Sequence, residues 1–294
     1  MPMPHLLSPF TAWVRRQSSL PRNKRILDAL DRSDAPAVKA IGQAVRQRLT
    51  DAQWTAEEEA RIRAVENYRA RLLASTETFE VVDYGAHGPD ADRNRNEMET
   101  GIRVGRSVAA LAKGAASPPF WGQCMFSLVR ALRPGLCLEL GTSLGISASY
   151  QSAALKLNGK GRLISIEGDP SIARIATAGL KEQGYTETEV RCGRFMDVLP
   201  TLLRECGPLD FIFIDGHHDH EATKEYFDML LPHMAPNAVV IFDDIRWSPG
   251  MFKAWEELCS DPRTGYVIDL GRWGLACIGA KKVGPAMPEK FELG

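Results

Sequence analysis

The 294-residue chain contains no apolar run approaching the ~18 residues needed to span a bilayer, and its charge is almost balanced, with 36 Lys+Arg against 37 Asp+Glu. The first absence argues against a membrane segment. The second argues against a general nucleic-acid binder, which usually carries a basic face. The six cysteines (Cys124, Cys137, Cys192, Cys206, Cys259 and Cys277) include no C-x-x-C pair and no paired zinc spacing. Several lie in apolar, strand-like runs where a thiol behaves as a small hydrophobe, so a reduced, cytoplasmic protein is expected. There is no G-x-G-x-x-G, no internal repeat and no low-complexity tract. The start, "MPMPHLLSPFTAWVRR", has prolines where a secretory apolar core would be, so no signal peptide is expected. The one local excess of charge (Arg15, Arg16, Arg22, Lys24, Arg25) reads as a solvated N-terminal arm.

What is present is ordinary globular composition, 44% apolar and 25% charged. From about Ala35 to Ser75 the pattern is helical and strand-free. "DAPAVKAIGQAVRQRL" places Val38, Ile41, Val45 and Leu49 on one face, with Asp34 as a plausible cap. "TAEEEARIRAVENYRARLLAS" has Thr55 before an acidic first turn and basic residues near its end, as the helix dipole favours. Between Val82 and Pro119 the sequence is rich in Gly, Pro, Asp and Asn, with one helix expected near Val104 to Ala112. A long polar segment of this kind is either mobile or a functional lid.

After Phe120, apolar runs of four to six residues alternate with helical segments: "LCLELG", "RLISIEG", "TEVRCGR", "LDFIFIDG" and "NAVVIFDDI". That alternation predicts a parallel sheet covered on both faces. "YVIDLG" and "GLACIGA" are separated only by Arg272 and Trp273 between glycines. This is too short for a helical crossover, so they must form an antiparallel hairpin.

In an open parallel sheet, ligands bind beyond the carboxyl ends of the strands. Here those ends carry chemistry. The first reads "LELGTSLGISASY", with Glu139 in the strand, two glycines (Gly141, Gly145) that let backbone approach a ligand or else simply make a tight strand–helix turn, and a following helix with free N–H groups. The second ends at Glu167 and Gly168, where a carboxylate can accept from both hydroxyls of a ribose, or else cap the helix at Pro170. The third is followed by Phe195, Met196 and Asp197, suited to stack a base and accept its amino group, or simply to pack the loop. The fourth, "FIFIDGHHDHE", runs from buried apolar residues into Asp215, His217, His218 and His220. The fifth ends at Asp243 and Asp244.

"LELGTSLGIS", "SIEGDP", "GRFMDVLP" and "LDFIFIDGHHDHE" in this order resemble a class I S-adenosylmethionine-dependent methyltransferase, over roughly Phe79 to Lys282. The resemblance implies an α/β, doubly wound Rossmann-like sheet of seven strands in the order 3-2-1-4-5-7-6, the seventh antiparallel. It also implies that Glu139, Gly141, Thr142, Ser143 and Gly145 hold the methionine part of the cofactor. Glu167 with Gly168 would hold the ribose, and Phe195, Met196 and Asp197 the adenine, with Asp215 alongside. Three carboxylates on neighbouring strand tips call for a cation or for protonation, and oxygen ligands of this number suit Mg²⁺. The pattern is similar to metal-dependent O-methyltransferases of the macrolide-sugar and catechol types, nearer the former. By that likeness Asp215, Asp243 and Asp244 bind a divalent cation and His218 is the general base. The catechol type has a lysine base, and no lysine occurs here after Asp215 before Lys224.

The expectation is therefore methyl transfer to a hydroxyl of a small molecule, with no nucleic-acid or membrane partner. Residues 1–78 would form a helical extension that closes the site or makes a homo-oligomer. Residues 79–119 would be an approach segment, 120–284 the methyltransferase domain and 285–294 a tail. Competing readings are a metal-independent methyltransferase using His218 alone, a nucleotide-binding oxidoreductase (disfavoured without G-x-G-x-x-G) and a non-catalytic cofactor-binding protein. Asp215 could instead cap the next helix, and the Asp243–Asp244 pair the helix near Pro249. Trp247, Trp273 and Tyr84 are candidates for the acceptor pocket, weighed against core or lid packing.

Overall fold

The computed structural model describes residues 21–49, 53–83, 100–280 and 287–291. Residues 21–31 form helix α1, followed by α2 (Pro36–Leu49) and α3 (Ala56–Leu73). Val38, Ile41, Val45 and Leu49 are all buried on one side of α2, as their spacing predicts. Thr55 accepts from the Glu58 N–H while the Glu58 carboxylate accepts from the Thr55 N–H, a capping box that fixes the start of α3. Arg22 and Arg25, two of the three members of the basic cluster that fall on described residues, pair with Glu289.

The next segment departs from the sequence reading. Instead of a helix near Val104 to Ala112, β1 (Thr78–Asp83) and β2 (Ile102–Ser107) form an antiparallel ribbon, and α4 (Val108–Gly114) begins only after Ser107. The reason is local. Gly105 is a poor helix residue, and the Ser107 side chain accepts from the Ala110 N–H, which sets the helix start where the ribbon ends.

Helix α5 (Pro119–Leu132) leads into the alternating part: β3 (Leu136–Leu140), α6 (Ile146–Asn158), β4 (Arg162–Glu167), α7 (Pro170–Glu182), β5 (Thr188–Cys192), α8 (Phe195–Glu205), β6 (Leu209–Ile214), α9 (His220–Leu230), β7 (Met234–Phe242), α10 (Pro249–Ser260), β8 (Tyr266–Asp269) and β9 (Gly274–Cys277). The sheet order is β5-β4-β3-β6-β7-β9-β8, the expected topology. Its first five strands are parallel, and β9 is antiparallel to both neighbours.

Alternate residues of one strand enter different cores. Phe211 and Phe213 of β6 join Cys137, Val239 and Ile241 on one face. Ile212 and Ile214 join Leu138, Leu140, Val240 and Phe242 on the other. Both faces are dry, which is why these strands read as unbroken apolar runs.

Helix α3 lies against the first strand–helix unit. The Tyr68 hydroxyl donates to the Leu144 carbonyl at 2.8 Å, inside the glycine turn. Its ring occupies the space a Cβ would need at Gly179 of α7, and Arg71 pairs with Glu182 at the end of the same helix. The N-terminal helices therefore buttress the turn after β3. Tyr68→Phe keeps the packing and leaves a buried carbonyl unpaired. It should lower unfolding free energy by about 1–2 kcal/mol in urea denaturation followed by circular dichroism. No change would mean that the contact does not hold the turn.

Candidate active site

A cavity of about 550 Å³ opens at the carboxyl ends of the parallel strands, an ordinary size for a small-molecule site. Gly141, Ser143, Glu167, Gly168 and Phe195 line one end, and Asp215, His218, Asp244, Trp247 and Arg272 the other. Val82, Asp83 and Arg106 of the ribbon cover it, with α4 and the loop after it.

Gly141 sits at φ +105°, and a Cβ there would overlap the carbonyl oxygen of Asp215. Only glycine lets the turn after β3 press against the tip of β6. This places the glycine turn and Asp215 side by side. Glu167, at the tip of β4, accepts from the Ser143 N–H at 2.8 Å and from the Asp169 N–H at 3.0 Å. Burial pushes its carboxyl up to about 7, against the pull of those backbone donors. It is not the cap of α7. Asp169 fills that role, accepting from the Ser171 and Ile172 N–H groups, and its other oxygen takes the Val82 N–H at 2.7 Å. The ribbon is thus pinned beside Glu167. A buried acid with two backbone donors and open lone pairs facing a cavity suits two ligand hydroxyls.

Other expected residues of this end lie off the cavity wall. Glu139 is fully buried beneath the turn, where Gln151 donates to it at 2.8 Å and Ser165 donates to its other oxygen. Burial raises its carboxyl to about 7, opposed by the Ser165, Ser147 and Gln151 donors. Thr142 is buried against the Ser165 hydroxyl. Gly145 faces Ala176 of α7. Met196 packs into the core beneath α8, and Asp197 is exposed and paired with Arg194 at 2.8 Å. Phe195 alone of its trio faces the cavity. His217 joins it there. Its ring stacks on Tyr226 and meets the Phe195 edge, its Nδ1 is bonded to the Tyr226 hydroxyl, and burial lowers its pKa.

At the other end the three acids come together. Burial, then the negative charges of Asp243 and Asp244, hold the Asp215 carboxyl well above the usual range. Burial, then Asp243, raises Asp244 to about 7. Asp243 is buried too, yet ends below its ordinary value because Arg272 grips it. Arg272 Nε and Nη2 donate to its two oxygens at 2.8 and 2.9 Å, and Nη2 also reaches Asp244 at 3.2 Å. The capping alternatives fail, since Asp219 caps α9 and Ser248 caps α10. His218 Nε2 stands 3.4 Å from Asp215 Oδ1. It is held at φ +43°, an uncommon conformation outside glycine. His220 instead pairs with Glu221 and Glu257.

Trp247 is 44% exposed on the cavity wall, its ring 6.0 Å from that of His218. Trp273 is fully buried against Trp121 and Phe213, and Tyr84 lies outside the described residues. The sequence reading did not single out Arg272, Asp83 or Arg106. The only available signal was an arginine at a hairpin tip beside the fifth strand. Among the described residues no group of three or more His, Cys, Asp and Glu is placed to hold a metal ion, and no helix is long and apolar enough to cross a membrane.

Residues 138–245 match the family profile described as a methyltransferase domain. A catechol O-methyltransferase of Niastella koreensis is 35% identical over 174 residues, spanning 58% of this chain and 75% of its own. An O-methyltransferase of Aspergillus flavus, imqG, is 34% identical over 114 residues, or 37% and 44% of the two chains. A cofactor-bound crystal structure from MTB shares the fold at a TM-score of 0.50 and 24% identity, over 56% of this chain and 83% of that one. Sheet order, glycine turn and acid-tipped strands define a class I S-adenosylmethionine-dependent methyltransferase. With the relatives above, the chain belongs to the S-adenosylmethionine-dependent O-methyltransferases.

Two outcomes check this end of the site. Glu167→Ala should weaken S-adenosylhomocysteine binding by about 10- to 100-fold in calorimetry, the size of one or two charged hydrogen bonds. The Glu139 carboxyl titrates higher in the folded protein than in the unfolded chain. Its stabilisation is therefore complete below about pH 4.5 and lost as pH rises through about 7. Glu139→Gln removes that loss. Between about pH 5 and about pH 8 the variant should gain up to about 3 kcal/mol relative to the parent in denaturant titrations. A constant difference across that window would show that Glu139 does not titrate there.

Proposed function

We propose that the chain methylates a hydroxyl oxygen of a small molecule, with His218 as general base and Asp215 as its orienting partner. The observation that carries this reading is the His218–Asp215 contact on the cavity wall, beside the glycine turn. S-adenosylmethionine, when bound, supplies an electrophilic methyl carbon on a sulfonium. The residues present fit it: Glu167 would take the ribose hydroxyls, Phe195 the adenine, and Gly141 and Ser143 the methionine part.

The remaining requirement is an acceptor oxygen, deprotonated and in line. The acceptor O–H bond breaks toward His218, the oxygen pair forms the bond to the methyl carbon, and the C–S pair stays on sulfur. A neutral imidazole can do this near pH 7. Trp247 offers a flat apolar face at the acceptor end, so a catechol, named in one relative, is the first acceptor to try.

Divalent-metal assistance was the finer expectation from the three acids. It needs Asp215, Asp243 and Asp244 to offer oxygens to one ion, and Arg272 already engages both oxygens of Asp243 and reaches Asp244. The side chains as arranged do not fit a resident metal.

His218→Ala should lower kcat for methylation of catechol by about 10²- to 10⁴-fold, the usual span for a general base, with the S-adenosylhomocysteine Kd unchanged. An unchanged kcat would overturn the assignment.

A further inference from the structure

Three carboxylates on two adjacent strand tips need compensating charge, and the fold supplies it from a third place. Arg272 lies in the turn between β8 and β9, and that turn is held from several sides. Its carbonyl accepts from the Ile245 N–H at 3.1 Å. Arg246 forks onto Asp269 at 2.9 and 2.6 Å and reaches the Gly271 carbonyl at 2.7 Å. Trp273, next in the chain, is fully buried. The guanidinium is therefore presented by a fixed turn. Nε and Nη2 are committed to Asp243 and Asp244. Among the described residues Nη1 makes no bond to protein, and the side chain lies on the cavity wall with Asp215, His218 and Trp247.

We propose that Arg272 is the resident cation of this site, occupying the place a divalent ion would need among the three acids and donating Nη1–H to the acceptor oxygen. The inference rests on the hydroxyl-methylation reading above. As His218 takes the hydroxyl proton, negative charge gathers on an oxygen facing a guanidinium whose other donors are already fixed. A preorganised donor of that kind stabilises developing charge without reorganising at the moment of reaction. Arg272 stays protonated throughout. The proton leaves on His218, the O–CH₃ bond forms as the S–C bond breaks, and no other reactant is required. The fork onto Asp243 is planar and two-toothed, so a lysine would keep the charge and lose the geometry.

The test uses the full chain loaded with S-adenosylhomocysteine and titrated with Mn²⁺, with free ion read by electron paramagnetic resonance. The parent protein should leave the Mn²⁺ signal at its free value, and Arg272→Met should capture about one ion per chain through the vacated acids. A parent protein that holds Mn²⁺ and releases it on Asp243→Asn would overturn the proposal, and this arm needs no Arg272 variant to fold.

With catechol as the probe acceptor, parent turnover should survive EDTA within about twofold. Arg272→Met should lower kcat/KM by about 100-fold or more, the size seen when one oxyanion donor is removed, with cofactor affinity intact. Arg272→Lys should fall between, and added guanidinium should restore part of the loss in Arg272→Met. Activity lost to EDTA and restored by Mg²⁺ would overturn the role of Arg272 while leaving methyl transfer standing. Failure of the parent protein to bind S-adenosylhomocysteine would instead remove the functional reading itself.

Discussion

Asp215, Asp243 and Asp244 repel one another at the meeting of β6 and β7, and the way that repulsion is relieved decides what the cavity can do. Carboxylates gathered this closely and shielded from water cannot all ionise without a counter-charge. The protein answers with one guanidinium and with unequal environments. Asp243, gripped by both teeth of Arg272, is held ionised, whereas Asp215 and Asp244 are pushed up. One member of the cluster is thus a permanent anion paired to a permanent cation. The other two are the responsive ones, and they are the two that face the cavity. Asp215 is also the one within reach of His218.

The donor end depends on backbone rather than charge. Because Gly141 has no Cβ, the turn after β3 and the carbonyl of Asp215 share a space no other residue would allow. That contact sets the distance between the glycine turn and the tip of β6. The turn is braced from behind by Tyr68 of α3 and from the side by Glu167 through the Ser143 N–H. Asp169 ties the covering ribbon to the same corner through Val82. The N-terminal helices, outside the family resemblance, are thus joined to the glycine turn through the buried Tyr68 hydroxyl.

Most of the sheet was legible because its signals are local. Buried parallel strands are short apolar runs, and the glycines between β8 and β9 leave room only for a hairpin. Acids at strand tips can likewise be counted along the chain. The rest was not legible because it depends on what folding brings together. Arg272 looks like any polar residue in a turn, and nothing near it in sequence says that it will reach Asp243. Glu139, assigned to the methionine part by the family resemblance, lies beneath the turn with Gln151 and Ser165 as its partners, a placement that depends on residues distant in sequence. The ribbon strand β2 was hidden by "RVGRSVAALA", where an apolar helix follows so closely that its pattern runs backwards into the strand. Only the Ser107 cap separates the two.

The hairpin deserves a different description from the loop-and-lid segments that usually set acceptor choice in such a fold. Its tip carries Arg272 into the cavity, its base is locked by Arg246 on Asp269, and Trp273 anchors it into the apolar layer behind. The segment after β7 holds both ends of this arrangement, since Asp243 and Asp244 receive the guanidinium while Ile245 and Arg246 fix the turn that presents it. Exchange of Asp243, Asp244 or Arg246 therefore alters either the anions that receive the guanidinium or the turn that presents it. Charge balance and the two-toothed fork thus meet in this one corner, and only an arginine supplies both.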